Sequence, residues 1–132
     1  MTAMHRLSLV VVEAGRGIVF THPQGGSASA SASLPSGNVL EHESPDQAAE
    51  RIVREQTGLD VDLTERLVEF EQEGTPVGTA LMTGFVARAV GGELREGDEG
   101  PPSVYPLDDL PAIIPKRIAN QRVLAAYLAS RK

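Results

Sequence analysis

The sequence predicts an α/β sandwich, a mixed β-sheet held between helices. Three observations carry that expectation. Residues 7–12 (LSLVVV), 18–20 (IVF), 67–71 (LVEFE) and 80–90 (ALMTGFVARAV) are aliphatic or alternating runs of strand length. Between the second and third of them, residues 45–57 carry apolar side chains at helical spacing behind a strong start signal, and the last twenty residues return to helical spacing. With 132 residues the chain is expected to be one domain, 1–132, large enough for a single core without staples.

Taken in order, residues 7–12 are β-branched and aliphatic, which suits a buried strand, and the turn Ala14-Gly15-Arg16-Gly17 leads into residues 18–20 as a hairpin partner. Residues 25–33 (GGSASASAS) contain almost nothing large enough to bury, so a flexible loop is expected at about 23–33. Its plain reading is a surface linker; its sharper reading is a flap, because it runs straight into Pro35-Ser36-Gly37. Pro35, Ser36, Gly37 and Asn38 are turn formers and predict a tight glycine loop that brings backbone close to a ligand.

A helix should begin at Pro45. Ser44 can cap the free N–H groups, proline suits the first helical position, and Gln47 completes a capping box. Ala48, Ala49, Ile52 and Val53 then mark the buried face, and Thr57-Gly58 supplies a left-handed stop. Beyond the strand at 67–71, residues 74–78 (GTPVG) turn the chain into the longer strand 80–90, followed by an acidic, glycine-rich loop at 91–100 and a short strand before the Leu107-Asp108-Asp109-Leu110-Pro111 segment. A terminal helix is expected at about 115–130, with Ile118, Val123, Leu124, Tyr127 and Leu128 near one face and only basic charges, Lys116, Arg117, Arg122, Arg131 and Lys132.

Composition excludes several function classes. A formal charge of −6 and a pI near 5.0 argue against a nucleic-acid or anionic-membrane surface. Without cysteine there is no disulfide framework, thiol catalysis or cysteine zinc site, and His5, His22 and His42 lack metal-ligand spacing. No apolar run approaches membrane-spanning length and residues 1–12 lack a signal-peptide pattern, so a cytoplasmic location is expected.

The helix carries a second message. Positions 52, 55 and 56 stand at i, i+3 and i+4, so their side chains share one edge beside the glycine loop and can converge on one cation. They are Ile52, Glu55 and Gln56.

At these residues the chain resembles the Nudix hydrolases, whose box is G-x5-E-x7-R-E-U-x-E-E-x-G-U with U a bulky aliphatic residue. Gly37, Glu43, Arg51, Val53, Glu55, Gly58 and Leu59 fit it in register and without a gap, seven of nine defined positions. Ile52 and Gln56 stand where the family has glutamates that help to bind divalent metal. The preceding loop departs too, with Ser36 for a glycine, Leu40 for a glutamate and His42 for a glycine in the family's LPGG-x-VE-x-GE pattern. The resemblance spans roughly residues 5–111 and is firmest at 34–59; the GGEL…GDE and LDDLP segments resemble members acting on nucleoside diphosphates joined to another group.

The resemblance implies Mg²⁺ or Mn²⁺ as cofactor, a nucleotide-type small molecule as partner and, as in many members, a homodimer. It implies Glu55 as the retained metal ligand, with Gln56 and the Ser36 carbonyl as weaker oxygen donors, Arg51 and Glu43 as organisers, and Glu99, with Asp98, as a supplementary acid. Gly37 would bring backbone to the substrate, His42 would contact phosphate or donate a proton, and Tyr105 would stack on a base. Each has a plainer role: an exposed helix glutamate (Glu55), an i,i+4 ion pair (Arg51), a solvated acidic loop (Asp98, Glu99), a surface histidine (His42) and a core aromatic (Tyr105). Ile52 can only pack.

Two functions of different class follow. One is a divalent-metal-dependent pyrophosphohydrolase cutting a phosphoanhydride in a nucleoside diphosphate derivative, weakened because a hard cation that wants oxygen ligands finds one charge where three are usual. The other is a catalytically inactive nucleotide-binding or regulatory module on the same scaffold.

Overall fold

Alternation along the first strand sets the layers. Leu9 and Val11 point to one side and Val10 and Val12 to the other, and all four are buried, because each face of the sheet is covered by a helix. The computed structural model describes residues 5–22, 32–75, 78–97, 100–110 and 118–131. The elements are β1 (His5–Ala14), β2 (Gly17–Phe20), β3 (Ser36–Asn38), α1 (Pro45–Thr57), β4 (Leu59–Thr75), β5 (Gly78–Gly92), β6 (Ser103–Pro106) and α2 (Ile118–Ser130).

The six strands form one sheet in the order β4-β5-β1-β2-β6, with β3 pairing to β1 beside β2. The β1–β5 pair is parallel and the others antiparallel, which makes the sheet mixed. On one face Val10, Val12, Val19, Phe85 and Ala87 pack against Ala49 and Val53 of α1. On the other, Leu9, Val11, Ile18, Phe20, Met82 and Val86 pack against Val123, Leu124 and Tyr127 of α2. This is the α/β/α sandwich expected from the sequence.

Helix α1 starts and stops where its local chemistry says. The Ser44 hydroxyl accepts the Gln47 N–H, the Gln47 side chain accepts the Ser44 N–H, and Gly58 closes the helix at φ 82°. Ser8 Oγ donates to the Pro45 carbonyl at 2.9 Å and ties the first turn to β1.

Three expectations change. The segment at 35–38 is not a free turn: Ser36, Gly37 and Asn38 form β3, antiparallel to Leu9, Ser8 and Leu7. Its polar composition has little strand propensity of its own, so pairing to β1 makes it a strand. The strand anticipated at 67–71 is the middle of the 17-residue β4, whose register against β5 shifts at four places. Each irregularity resets the inward–outward alternation, which hides a long strand from a period-two reading. The flexible loop does not reach Ser33: Ala32 and Ser33 are buried, and Ser33 exchanges two backbone hydrogen bonds with Thr21, at 2.8 and 2.9 Å. The remainder of that loop, 23–31, and the expected start of the terminal helix at 115–117 lie outside the described residues. No helix among the described residues is long and apolar enough to cross a membrane.

Candidate functional site

The site is assembled where β3 lies against α1. Gly37 permits that approach, since a Cβ there would sit 3.3 Å from both Cγ1 and Cδ1 of Ile52. Ile52 itself is buried under the strand.

Arg51 is the hub. Its Nε donates to Glu43 Oε2 at 2.8 Å and Nη2 to Glu43 Oε1 at 3.1 Å, a two-pronged pair that fits the planar guanidinium. Nη1 donates to Glu55 Oε1 at 2.9 Å, one helical turn on, and Nη2 also reaches the Asn38 carbonyl at 2.8 Å. Glu43 Oε1 accepts the Leu40 N–H as well, at 2.9 Å. Arg51 holds the Glu43 carboxyl below its ordinary range, chiefly through the hydrogen bond between them, and Glu43 in turn raises Arg51. Glu43 is nearly enclosed, whereas the Glu55 side chain is 59% exposed.

Gln56 points into the same junction. Its Nε2 donates to the Ser36 carbonyl at 2.8 Å and its Oε1 accepts the Ser36 N–H at 3.3 Å, so both ends of one amide are spent on one backbone residue. On the other side of the helix end, a Cβ on Gly97 would collide with the Glu55 carbonyl, and the Arg95 N–H donates to the Thr57 carbonyl at 2.9 Å. The segment 95–97 therefore lies against the last turn of α1. Asp98 and Glu99 lie outside the described residues.

The sequence-predicted residues thus divide. Gly37, Ser36, Glu43, Arg51, Glu55 and Gln56 come together at the β3–α1 junction. His42 stands at the tip of the preceding turn with φ 67°, its side chain exposed and 3.6 Å from Glu41. Tyr105 is not brought to this cluster. It packs on the α2 side of the sheet, edge-on to Phe20 with ring centres 5.5 Å apart, and its hydroxyl lies 2.7 Å from His22 Nε2. His22, buried and bonded through Nδ1 to the Pro101 carbonyl at 2.7 Å, carried no sequence signal, because its partners lie some eighty residues away.

Among the described residues the donor set does not make the cation site that the box resemblance implies. A hard divalent ion needs oxygens with free lone pairs. Gln56 offers the Ser36 carbonyl an N–H donor, Gln56 Oε1 is taken by the Ser36 N–H, both Glu43 oxygens accept hydrogen bonds, and Ile52 has no donor. Oε2 of Glu55 is the one carboxylate oxygen of the cluster without a hydrogen bond among the described residues. Nor do three His, Asp or Glu side chains gather among those residues closely enough to hold a metal ion.

The profile of the NUDIX domain matches residues 4–127. Among solved structures, a UDP-X diphosphatase superposes with a TM-score of 0.79 at 17% identity, covering 99% of this chain and 64% of the other, so this chain spans just under two thirds of that protein's length. An ADP-ribose pyrophosphatase from Streptococcus suis gives 0.74 at 19% identity, covering 98% and 94%. The NUDIX domain of Shewanella oneidensis NrtR, complexed with ADP ribose, gives 0.74 at 14% identity, covering 100% and 91%. No curated protein matches the chain by sequence.

Proposed function

The chain belongs to the NUDIX family, a family of hydrolases acting on diphosphate linkages, and from that premise we propose that it cleaves, slowly, the phosphoanhydride of a nucleoside diphosphate derivative. One observation supports the reading above others: a continuous Glu43–Arg51–Glu55 hydrogen-bonded chain at the β3–α1 junction holds Glu55 by Oε1 and leaves its Oε2 open to solvent. Arg51 and Glu43 set the position of Glu55, which is the carboxylate available to substrate; Gly37 brings backbone close, His42 at the exposed tip of the preceding turn contacts phosphate, and Glu99 is the acid proposed to supplement Glu55. Solved relatives named for ADP-ribose and UDP-X suggest the substrate class. Mg²⁺ or Mn²⁺ is the family's usual cofactor, but the described donors do not by themselves make a site for it.

A low rate is expected because losing even one well-placed electrostatic stabiliser commonly costs about 10²–10³ in rate. The test is product release from ADP-ribose, nucleotide sugars, dinucleotides and nucleoside triphosphates, in Mg²⁺, Mn²⁺ and chelator, with Glu55→Gln alongside. Product release that disappears in Glu55→Gln is the expected result. Release that is the same in the variant would sink the assignment of Glu55.

The Gln56–Ser36 pair favours a second reading, a module that binds a nucleotide without metal. Under it, ADP-ribose binds equally in Mg²⁺ and in chelator and no member of the panel is cleaved.

A further inference from the structure

At the far end of β1, on the side of the sheet that carries α2, lies a cleft of about 430 Å³ that the box residues do not touch. Its walls include Glu13, Arg16, Arg88, Leu107 and Tyr127. That volume is in the range of small-molecule sites.

The charges in it are unequally satisfied. Glu13 accepts the Tyr127 hydroxyl at 2.7 Å and lies 3.6 Å from Arg131, whose guanidinium stacks over the Tyr127 ring at 4.6 Å and also reaches Glu65 at 3.2 Å. Burial, then Glu13, pushes Tyr127 up to about 12, so it stays protonated and donating. The negative charge of Glu13 is thereby answered within the fold.

Arg16 and Arg88 are not answered. Both are exposed, and neither makes a hydrogen bond or ion pair among the described residues. In the sheet Arg88 stands in register between Glu13 of β1 and Asp62 of β4, yet among the described residues it comes within ion-pair distance of neither. Arg16 sits in the β1–β2 turn, where the space beside Gly15 is open. In a chain whose formal charge is −6, this cleft brings two guanidiniums without an ion pair onto one concave surface.

We infer that this cleft is a second binding site, for a small diphosphate-bearing anion gripped between Arg16 and Arg88. Guanidiniums present flat N–H forks that match phosphate oxygens, and neither needs to leave an existing partner to do so. Free pyrophosphate and the diphosphate of a nucleotide share the recognised chemistry.

The site is tested by amide NMR titration of the full chain with inorganic pyrophosphate and with ADP, in chelator. Saturable shifts at Gly15, Arg16 and Gly17 are expected with at least one of them. The Arg16→Gln/Arg88→Gln variant should weaken that binding by about tenfold or more, while Glu55→Gln leaves it unchanged. Both arginines are exposed and unpaired, so the variant should melt at the wild-type temperature. Absence of shifts at 15–17, or equal affinity in the double variant, overturns the inference.

Discussion

Gln56 and Ser36, twenty residues apart, are bound to each other twice, side-chain N–H to carbonyl and backbone N–H to side-chain oxygen. An amide completes this pair because it carries a donor and an acceptor on one head. A carboxylate has no donor, so at position 56 it would face the Ser36 carbonyl oxygen to oxygen unless a cation lay between them.

Gln56→Glu is therefore expected to destabilise the chain by about 1–2 kcal/mol, the cost of a buried acceptor left facing a charge, seen as a melting temperature lower by roughly 3–10 °C. Adding Ile52→Glu should let Mn²⁺ raise the melting temperature of the double variant and not that of the wild type. A wild type stabilised by Mn²⁺ to the same degree would show that the Gln56–Ser36 pair does not exclude a cation.

The Glu43–Arg51 pair sets an acid limit. Glu43 is depressed below its ordinary value of 4.5, so its contribution to stability is complete above that value and is lost as pH falls through the lower folded value. Urea unfolding followed from pH 6 downward should show Glu43→Gln less stable than wild type at the upper end and the two converging as pH falls below 4.5. Parallel curves across the range would contradict the pairing.

Tyr127 makes the matching prediction in base. Its folded value of about 12 lies above the ordinary 10.0, so the stabilisation is present below 10 and lost as pH rises between the two. Ultraviolet titration should show a tyrosine step at about pH 12 that is absent in Tyr127→Phe. That variant should also lose about 1–2 kcal/mol at neutral pH, since Glu13 keeps only Arg131.

Gly37→Ala tests the approach of β3 to α1. The new methyl would press on Ile52 at 3.3 Å, and overpacking of this kind costs about 1–3 kcal/mol. Ile52→Val removes one of the two opposing carbons and should recover part of the loss. A double-mutant cycle with no coupling would place the strain elsewhere.

Local chemistry made much of the chain legible. The α1 boundaries follow from Ser44, Pro45, Gln47 and Gly58, all within reach of the helix they punctuate, and α1 runs Pro45–Thr57 as those residues imply. The β1–β2 hairpin and the strand returning through the core follow equally from short-range pattern, and the spacing of Arg51 and Glu55 implies their ion pair.

Contacts between distant segments were not legible. Polar residues 36–38 became a strand only by pairing with β1, and the bulges of β4 are set by its ladder with β5. Tyr105 lies on the α2 side of the sheet because of its register with Ile18, and Glu13 meets Tyr127 across 114 positions. By itself the sequence determined an α/β sandwich, its capped helix and membership of the NUDIX family, because those are properties of neighbouring residues and their spacing. Tertiary structure alone decided that Gln56 closes on Ser36 and that Arg16 and Arg88 share a cleft, because a hydrogen bond or a field between remote residues exists only once the sheet has brought them together.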